Sequence, residues 1–324
     1  MSTHPYDELG PATILDAVES VGLAVDGRQL ALNSYENRVY QVGLDAAEPV
    51  IVKFYRPGRW SEQAIREEHE FSLELARHEV PVVPPMTLGG RTLHEFAGFR
   101  FAVYPRRGGR PPELDVPDVR EWIGRFLGRL HAVGEVVPFR YRERMDPARL
   151  AATRDWLVTG GWIPDYLRAA YDSVTDDLIT LVGAAWERAG APRFLRLHGD
   201  CHPGNILWTD AGPHFVDLDD AVAGPAVQDL WMLLSGDRGE MAMQLSDVIA
   251  GYEDFRDFDR RELHLVEALR TMRLVRFSGW LAQRWSDPAF PAAFPWFGER
   301  RFWEEHLLAL REQAAALEEP PLSV

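Results

Sequence analysis

Apolar residues in the first third of the chain follow the alternating pattern of β-strands. β-branched and aromatic residues dominate residues 38–42 and 50–55, and turn-forming residues separate the two runs. This arrangement predicts a β-hairpin. Two further strands are predicted at residues 91–96 and 99–104, so the N-terminal part should hold a small antiparallel sheet.

A single helix is predicted inside this strand-rich part. Ser61 precedes residues 62 to about 79, in which apolar side chains recur at helical spacing, and a serine in that position is a good N-cap. The sheet region ends in the Pro/Gly/Arg-rich residues 105–112, which form the best domain boundary in the chain. We therefore divide the chain into an N-terminal lobe, residues 1–105, and a C-terminal lobe, residues 106–324.

The pattern changes from strands to helices after this boundary. Helical periodicity is present at residues 116–133 and 165–187, and it resumes from about residue 227 to residue 318 with a loop predicted at 288–298. The exception is residues 194–220, where short apolar runs alternate with polar residues. The pattern as a whole predicts an α+β protein whose larger part is mostly helical.

Charge and composition exclude several classes of protein. The 324 residues carry a net charge of −15, which argues against a nucleic-acid partner, and 46% hydrophobic residues are typical of a globular protein. Neither a signal peptide nor an apolar run long enough to span a membrane is found. The lone cysteine, Cys201, cannot form an intramolecular disulfide, so we expect a cytoplasmic protein.

One basic residue differs from all the others. The chain has 34 arginines and a single lysine, Lys53, which lies in the second strand of the predicted hairpin. An arginine cannot replace the compact lysine ammonium where space is tight. Lys53 is therefore a candidate functional residue.

The polar residues of the exceptional segment carry the candidate chemistry. Asp200 is followed five residues later by Asn205, and Asp217 ends the next apolar run, which is the spacing of a kinase catalytic loop and metal-binding segment. Asp200 is placed to accept a proton from an attacking hydroxyl. Asn205 and Asp217 offer the hard oxygen ligands that Mg²⁺ prefers. Asp219 and Asp220 are interpreted as structural carboxylates, although either could reach the metal.

Two other kinds of site fit the same segment less well. His198, Cys201 and His202 could bind a transition metal, but they match no common zinc spacing. Cys201 could be a nucleophile, but nothing in the sequence supplies an oxyanion hole.

These motifs resemble those of a known family. The segment from His198 to Asn205, with Asp217, looks like the motif of the aminoglycoside phosphotransferase and choline kinase superfamily, relatives of protein kinases. More narrowly, the chain resembles the bacterial stress response kinase A family from about residue 11 to residue 321. That resemblance is carried by residues 32–40, 52–57, 195–208, 215–221, 224–234 and 287–291.

The resemblance implies a fold, an activity and partners. The fold would be two-lobed and kinase-like, with a small antiparallel sheet and one key helix in the first lobe and a mostly helical second lobe. The activity would be that of a monomeric, cytoplasmic serine/threonine protein kinase of the stress response, which uses ATP and Mg²⁺ and modifies a protein of unknown identity.

The resemblance also implies individual roles for residues of the N-terminal lobe. Ser34 would lie in the loop that binds the nucleotide phosphates, and Lys53 would contact the α- and β-phosphates. Lys53 would pair with a helix glutamate, for which Glu68 is preferred over Glu67 and Glu70. The backbone near residues 103–105, with Val103 and Tyr104 at the end of the predicted strand 99–104, would meet adenine.

The sequence leaves open how phosphate is bound, which molecule accepts it and whether an arginine-rich stretch binds a partner. Residues 34–37 replace the glycine-rich loop of protein kinases, so a hydroxyl or backbone N–H groups must contact phosphate. The acceptor could be a small alcohol such as choline, homoserine or an aminoglycoside, and a nucleotide-binding pseudokinase is a third reading. Arginines in residues 140–149 could dock an acidic partner, but a solvated surface is the preferred interpretation.

Overall fold

The computed structural model of the protein describes residues 4–324. The chain divides into two compact units, each made of segments that are distant in sequence. The first unit comprises the chain up to Glu143, Leu195–Ala223 and Asp247–Asp257; the second comprises Arg144–Phe194, Gly224–Ser246 and Phe258–Val324. All the site residues predicted above lie in the first unit.

The first unit contains a five-stranded antiparallel sheet in the order β1-β2-β3-β5-β4. Its strands are β1 (Val25–Ala31), β2 (Arg38–Leu44), β3 (Ala47–Phe54), β4 (His94–Phe96) and β5 (Phe99–Pro105). The predicted hairpin is confirmed, with Val39 of β2 opposite Lys53 of β3. The edge strand β1 was not predicted, because its residues are mostly polar and show no clean alternation.

The two faces of this sheet carry different side chains, because successive residues of a strand point to opposite faces. Val52 and Phe54 enter an apolar core that includes helix α1 (Pro11–Glu19). Lys53 and Tyr55 lie on the other face, where Tyr55 packs with Ile65 of helix α2 (Glu62–Arg77). The strand thus places a lysine between a hydrophobic sheet and a helix.

Helix α2 begins as predicted. The Ser61 hydroxyl accepts a hydrogen bond from the backbone N–H of Ala64 at 3.1 Å, which caps the helix. The helix ends at Arg77, slightly before the predicted end. Glu79 adopts a left-handed backbone with φ of 56°, which is incompatible with a continuing helix.

The remaining elements are mostly helices with four short strands between them. The helices are α3 (Pro117–Gly134), α4 (Ala148–Thr159), α5 (Arg168–Arg188), α6 (Gln228–Trp231), α7 (Arg238–Tyr252), α8 (Val266–Arg284), α9 (Ala289–Ala293) and α10 (Arg300–Glu318). The strands are β6 (Leu195–Leu197), β7 (Ile206–Thr209), β8 (Gly212–Phe215) and β9 (Val222–Gly224). β7 pairs with β8 and β6 pairs with β9, so residues 195–224 contain two small two-stranded sheets between α5 and α6.

The second unit is a helical body with its own core. α5 packs against α10, and α4 packs against α8. Fully buried aromatic side chains, including Tyr171, Phe290 and Phe297, fill the space between them. None of the helices in residues 4–324 has the length and apolar character needed to cross a membrane.

One predicted loop was wrong. Residues 288–298 contain helix α9 and a helical turn at Pro295–Gly298. Asp287 Oδ1 accepts the backbone N–H of Ala289 at 3.1 Å, and Pro288 follows it directly. A proline is well tolerated where a helix begins, so the Pro-rich composition indicated helix starts as much as a loop.

Candidate active site

Hydrogen bonds within the loop of residues 198–205 fix the backbone of Asp200. Its carbonyl oxygen accepts from Asn205 Nδ2 and from the N–H of His202, both at 2.9 Å. The buried His198 donates from Nε2 to the carbonyl of Val216 at 2.9 Å. Because that carbonyl can only accept, Nε2 carries a proton, and Nδ1 of His198 accepts the Asp200 N–H at 3.4 Å.

The same loop lies directly against the segment that contains Asp217. Gly199 has a φ of +84°, and a Cβ at this position would lie 2.2 Å from the carbonyl oxygen of Asp220. The N–H of Val216 also donates to the carbonyl of Asn205 at 3.0 Å. The two predicted motifs are therefore joined backbone to backbone, and only glycine fits at the closest point.

Asp217 combines exposure with an uncommon backbone. Its φ and ψ are both 61°, the left-handed region that aspartate tolerates better than most residues. Its side chain is 54% exposed, and its Oδ1 lies 2.6 Å from Lys53 Nζ. Strained backbone of this kind clusters at functional sites.

Lys53 is the buried cation of the site. Its side chain is 8% exposed and makes ion pairs with Asp217 at 2.6 Å and with Asp219 at 3.4 Å. Burial by itself would lower the pKa of Lys53, but the two aspartates outweigh burial and raise its pKa above the ordinary value. Lys53 is therefore held as a charged ammonium.

Asp219 is more deeply buried than Asp217 and has more partners. Its Oδ2 accepts from Asn37 Nδ2 at 3.0 Å and from Arg59 Nη1. Its Oδ1 lies near Lys53 but has no hydrogen-bond donor among the described residues. Burial would raise the pKa of Asp219, yet Lys53, Arg59 and Arg142 together hold it below the usual range.

A second arginine fixes the backbone of this segment. The Arg142 guanidinium donates to the carbonyl oxygens of Asp219 and Ala221 and stacks on Trp60 at 4.0 Å. Glu67 of α2 in turn accepts the backbone N–H groups of residues 140–142 at 2.6–2.8 Å. The arginine-rich stretch was predicted as a solvated surface, and for Arg142, which is buried, that prediction was wrong.

Of the three glutamates considered as partners of Lys53, Glu68 is the buried one. Burial raises its pKa to about 7, against the opposing charges of Lys53 and Arg142. Its charge acts on Lys53, but the ion pairs of Lys53 are with the two aspartates. The structure thus brings Glu68 close to the lysine without making it the paired carboxylate.

Ser34 lies in the turn between β1 and β2. Its hydroxyl donates to the carbonyl of Asn37 at 3.0 Å and accepts the N–H of Val39 at 3.2 Å. Val39 is the residue opposite Lys53 in the sheet. The hydroxyl of Ser34 therefore closes this turn at the end of β2 that is nearest to Lys53.

The two predicted adenine positions differ in direction. Tyr104 lies on the Lys53 face, and its hydroxyl is 2.9 Å from that of Tyr55. The side chain of Val103 packs in the opposite, α1-side core, and its carbonyl accepts the N–H of Met86 at 2.7 Å. Only the backbone of Val103 can therefore serve this site.

Sequence reasoning missed Arg59 altogether, and it missed the roles of three residues that it did consider, Asn37, Glu67 and Arg142. Each acts through a contact with a segment far away in the chain, such as the 182-residue separation between Asn37 and Asp219. The one signal available was position, since Asn37 and Arg59 flank the strands that carry the predicted site.

Comparison with known proteins identifies the family. Residues 28–266 match the phosphotransferase enzyme family. Stress response kinase A of Escherichia coli (strain K12) is 48% identical over 324 residues, which cover 100% of this chain and 98% of that protein. The chain belongs to the stress response kinase A family. Serine/threonine protein kinase RdoA of Salmonella typhimurium (strain LT2) is also 48% identical, over 320 residues that cover 98% and 97% of the two chains.

Solved structures of other phosphotransferases share the fold of this stress response kinase A relative. An amicoumacin kinase has a TM-score of 0.72 at 18% identity, covering 98% of this chain and 96% of its own. A spectinomycin phosphotransferase has a TM-score of 0.68 at 13% identity, covering 95% and 98%. The predicted family, the α+β kinase-like fold and the phosphotransferase class are therefore confirmed.

Proposed function

We propose that this protein is a serine/threonine protein kinase of the bacterial stress response that transfers the γ-phosphoryl group of ATP to a hydroxyl. The observation that carries the proposal is its 48% identity, over essentially full length, to relatives named stress response kinase A and serine/threonine protein kinase RdoA. The geometry supports it, since one compact unit contains Lys53, Asp200, Asn205 and Asp217.

Asp200 is the proposed proton acceptor. Its carboxylate is partly exposed, and its backbone is fixed on both sides by the hydrogen bonds of the loop. A bond forms between the acceptor oxygen and the γ-phosphorus while the bond from that phosphorus to the β-phosphate oxygen breaks, and ADP leaves. The hydroxyl proton passes to Asp200 and then to solvent. Positioning supplies most of the rate in such reactions.

Asn205 and Asp217 are the residues that would hold Mg²⁺. The Asn205 Nδ2 is bonded to the Asp200 carbonyl, which leaves Oδ1 as the available oxygen, and the side chain of Asp217 is 54% exposed. No group of three or more His, Cys, Asp or Glu in residues 4–324 is arranged to hold a metal. A kinase magnesium site needs only one or two protein oxygens besides phosphates, so this donor set fits. When bound, Mg²⁺ would neutralise phosphate charge.

Lys53 is proposed to contact the α- and β-phosphates, with Glu68 as a nearby buried carboxylate. Ser34 is proposed to shape the phosphate-binding turn, since its hydroxyl is already bonded within that turn. Backbone N–H groups of residues 34–37 are then the phosphate donors. The backbone at Val103 and Tyr104 is proposed to meet adenine.

The remaining parts of the proposal concern organisation. We propose that residues 1–105 and 106–324 act as the two lobes of a kinase, and that the protein is a cytoplasmic monomer acting on a protein partner. The family resemblance and the lone Cys201 support the compartment. Size-exclusion chromatography with light scattering tests the monomer.

The acceptor class decides between a protein kinase and a small-molecule kinase. Purified protein is incubated with Mg²⁺ and γ-labelled ATP, either with myelin basic protein or with a panel of choline, homoserine and aminoglycosides. Asp200→Asn serves as the matched control because it keeps size and removes the carboxylate. The proposal predicts label on protein serine or threonine that disappears in the variant.

Two results contradict the proposal. Label found only on a small alcohol places the protein among the metabolite kinases with the same catalytic residues. ATP binding without any transfer indicates a pseudokinase.

A further inference from the structure

The structure assigns to Asp219 a function that kinases commonly give to a helix glutamate: we propose that Asp219 is the positioning residue that anchors both Lys53 and the turn at residues 34–37. The inference rests on the proposed function in one respect, namely that Lys53 contacts the nucleotide. Asp219 itself would touch neither the nucleotide nor the acceptor.

The first argument is that the two carboxylates near Lys53 differ in exposure and in proposed role. Lys53 Nζ lies 2.6 Å from Asp217 Oδ1 and 3.4 Å from Asp219 Oδ1. Asp217 is half exposed and is a proposed metal ligand, whereas the Asp219 side chain is only 4% exposed. Of these two carboxylates, Asp219 is the one free to keep the lysine in place when Asp217 has another task.

The second argument is an unsatisfied atom. Among the described residues no donor forms a hydrogen bond to Asp219 Oδ1, although the atom is buried. Buried carboxylate oxygens without a partner are unfavourable, so Oδ1 is poised to receive the ammonium of Lys53, whose Nζ lies 3.4 Å away. The 3.4 Å between Lys53 Nζ and Asp219 Oδ1 is only a few tenths of an ångström longer than an ordinary N–H···O hydrogen bond.

The third argument is that Asp219 also fixes the nucleotide turn. Asn37 Nδ2 donates to Asp219 Oδ2 at 3.0 Å, while Asn37 Oδ1 accepts the backbone N–H of Arg56 at 3.1 Å. Arg59 bonds to the same Oδ2 and to Asp220 at 2.9 Å. One carboxylate thus joins the turn before β2, the loop after β3 and the Asp217 segment.

The fourth argument is that the anchor is rigid. Arg142 fixes the carbonyl oxygen of Asp219, and Glu67 of α2 fixes the backbone that carries Arg142. Helix α2 therefore acts on the site through Glu67, Arg142 and Asp219. Glu68, on the same helix, makes no ion pair with Lys53 among the pairs of the described residues.

The single lysine allows a direct test without any enzymatic activity. In the NMR spectrum of protein made with isotopically labelled lysine, all the signals come from one side chain, because Lys53 is the only lysine of the untagged chain. A fixed side chain makes the two ε-methylene protons inequivalent, and a mobile one averages them. We expect two resolved protons in the wild type and in Asp217→Asn, and one averaged signal in Asp219→Asn.

Asp220→Asn is the matched control, since it removes the same charge from the neighbouring residue and leaves the Lys53 contacts in place. We expect its lysine signal to match the wild type. The inference is overturned if Asp219→Asn keeps two resolved protons, or if Asp217→Asn or Glu68→Gln averages them. These outcomes do not depend on phosphoryl transfer, so they stand apart from the success or failure of the proposed kinase activity.

A second variant tests the turn and covers the case in which Asp219→Asn does not fold. Asn37→Asp is isosteric and keeps the oxygen that accepts the Arg56 N–H, but it turns the contact with Asp219 into repulsion between two carboxylates. We expect the KM for ATP to rise at least about tenfold with a smaller change in kcat, because the turn is displaced by a fraction of an ångström. An unchanged KM for ATP would overturn the role of Asp219 in fixing the turn.

Discussion

Replacement of Gly199 by alanine tests the join between the catalytic loop and the Asp217 segment. The new Cβ would lie 2.2 Å from the Asp220 carbonyl oxygen and 3.0 Å from Val222 Cγ1. Real Cβ atoms do not approach backbone closer than 3.0 Å, so the two segments must separate. The φ of +84° adds about 1–2 kcal/mol of backbone strain in any residue with a side chain.

The size of the functional effect follows from this displacement. A misplacement of about 1 Å at a reacting group typically lowers the rate about 100-fold. Because Asp200 follows Gly199 directly, we expect kcat/KM to fall by about that factor. Initial rates with γ-labelled ATP and a protein acceptor measure it, and thermal unfolding by circular dichroism shows whether the variant is folded.

Gly183→Ala is the control for the same substitution. This residue lies inside α5, and a Cβ there meets nothing within 4 Å. We expect unchanged activity and a gain of up to about 1 kcal/mol in the free energy of unfolding. If Gly199→Ala is folded and keeps kcat/KM within about twofold of the wild type, the close approach of the two segments does not matter for catalysis.

Three further predictions concern the charged residues of the site. Lys53→Arg should lower kcat/KM by at least about 100-fold, because the planar guanidinium cannot reproduce the 2.6 Å contact in a buried space; wild-type rates would refute this. Asp217→Ala should bind ATP equally with Mg²⁺ and with EDTA by calorimetry, and a persisting effect of Mg²⁺ would show that the metal is held elsewhere. Glu68 has a folded pKa of about 7, above its unfolded value of 4.5, so its contribution to stability is fully present below pH 4.5 and is lost as the pH rises to about 7. Chemical denaturation should therefore find that Glu68→Gln gains stability relative to the wild type over this range, whereas parallel pH profiles would contradict the raised pKa.

The parts of the site that are local in sequence could be predicted. Within the loop from His198 to Asn205, hydrogen bonds between near neighbours, such as that from Asn205 Nδ2 to the Asp200 carbonyl, depend on residue types and spacing that the sequence shows. The hairpin of β2 and β3 and the serine cap of α2 are likewise set by short stretches of chain. These elements agree with the sequence because their stabilising contacts lie within them.

The contacts of Asp219 could not be predicted in the same way. Its partners Asn37 and Arg59 lie 182 and 160 residues away in the sequence. Asparagine and arginine are common on exposed surfaces, so their residue types do not indicate this contact. Arg142 is the clearest case, because an arginine-rich stretch is usually solvated and this arginine is buried through stacking on Trp60. Only the folded chain shows which polar residues meet.

Helix α2 was predicted correctly, but the predicted pairing of its Glu68 with Lys53 was not found. Its position, cap and buried face follow from the sequence. Glu68, the glutamate preferred as the partner of Lys53, is buried in the structure. The carboxylates paired with Lys53 nevertheless come from the Asp217 segment. The choice among nearby carboxylates depends on differences of a few ångströms, which sequence spacing does not resolve.

The most direct test of the account is the rate of the chemical step in Asp200→Asn. Single-turnover quench with γ-labelled ATP and excess protein acceptor measures phosphoryl transfer, and calorimetry on the same samples measures the Kd for ATP. The account predicts a rate at least about 1000-fold below that of the wild type with an unchanged Kd, because the variant keeps the loop and loses the group that orients and deprotonates the hydroxyl. Transfer at a near wild-type rate would contradict the assignment of Asp200, and with it the proposed mechanism.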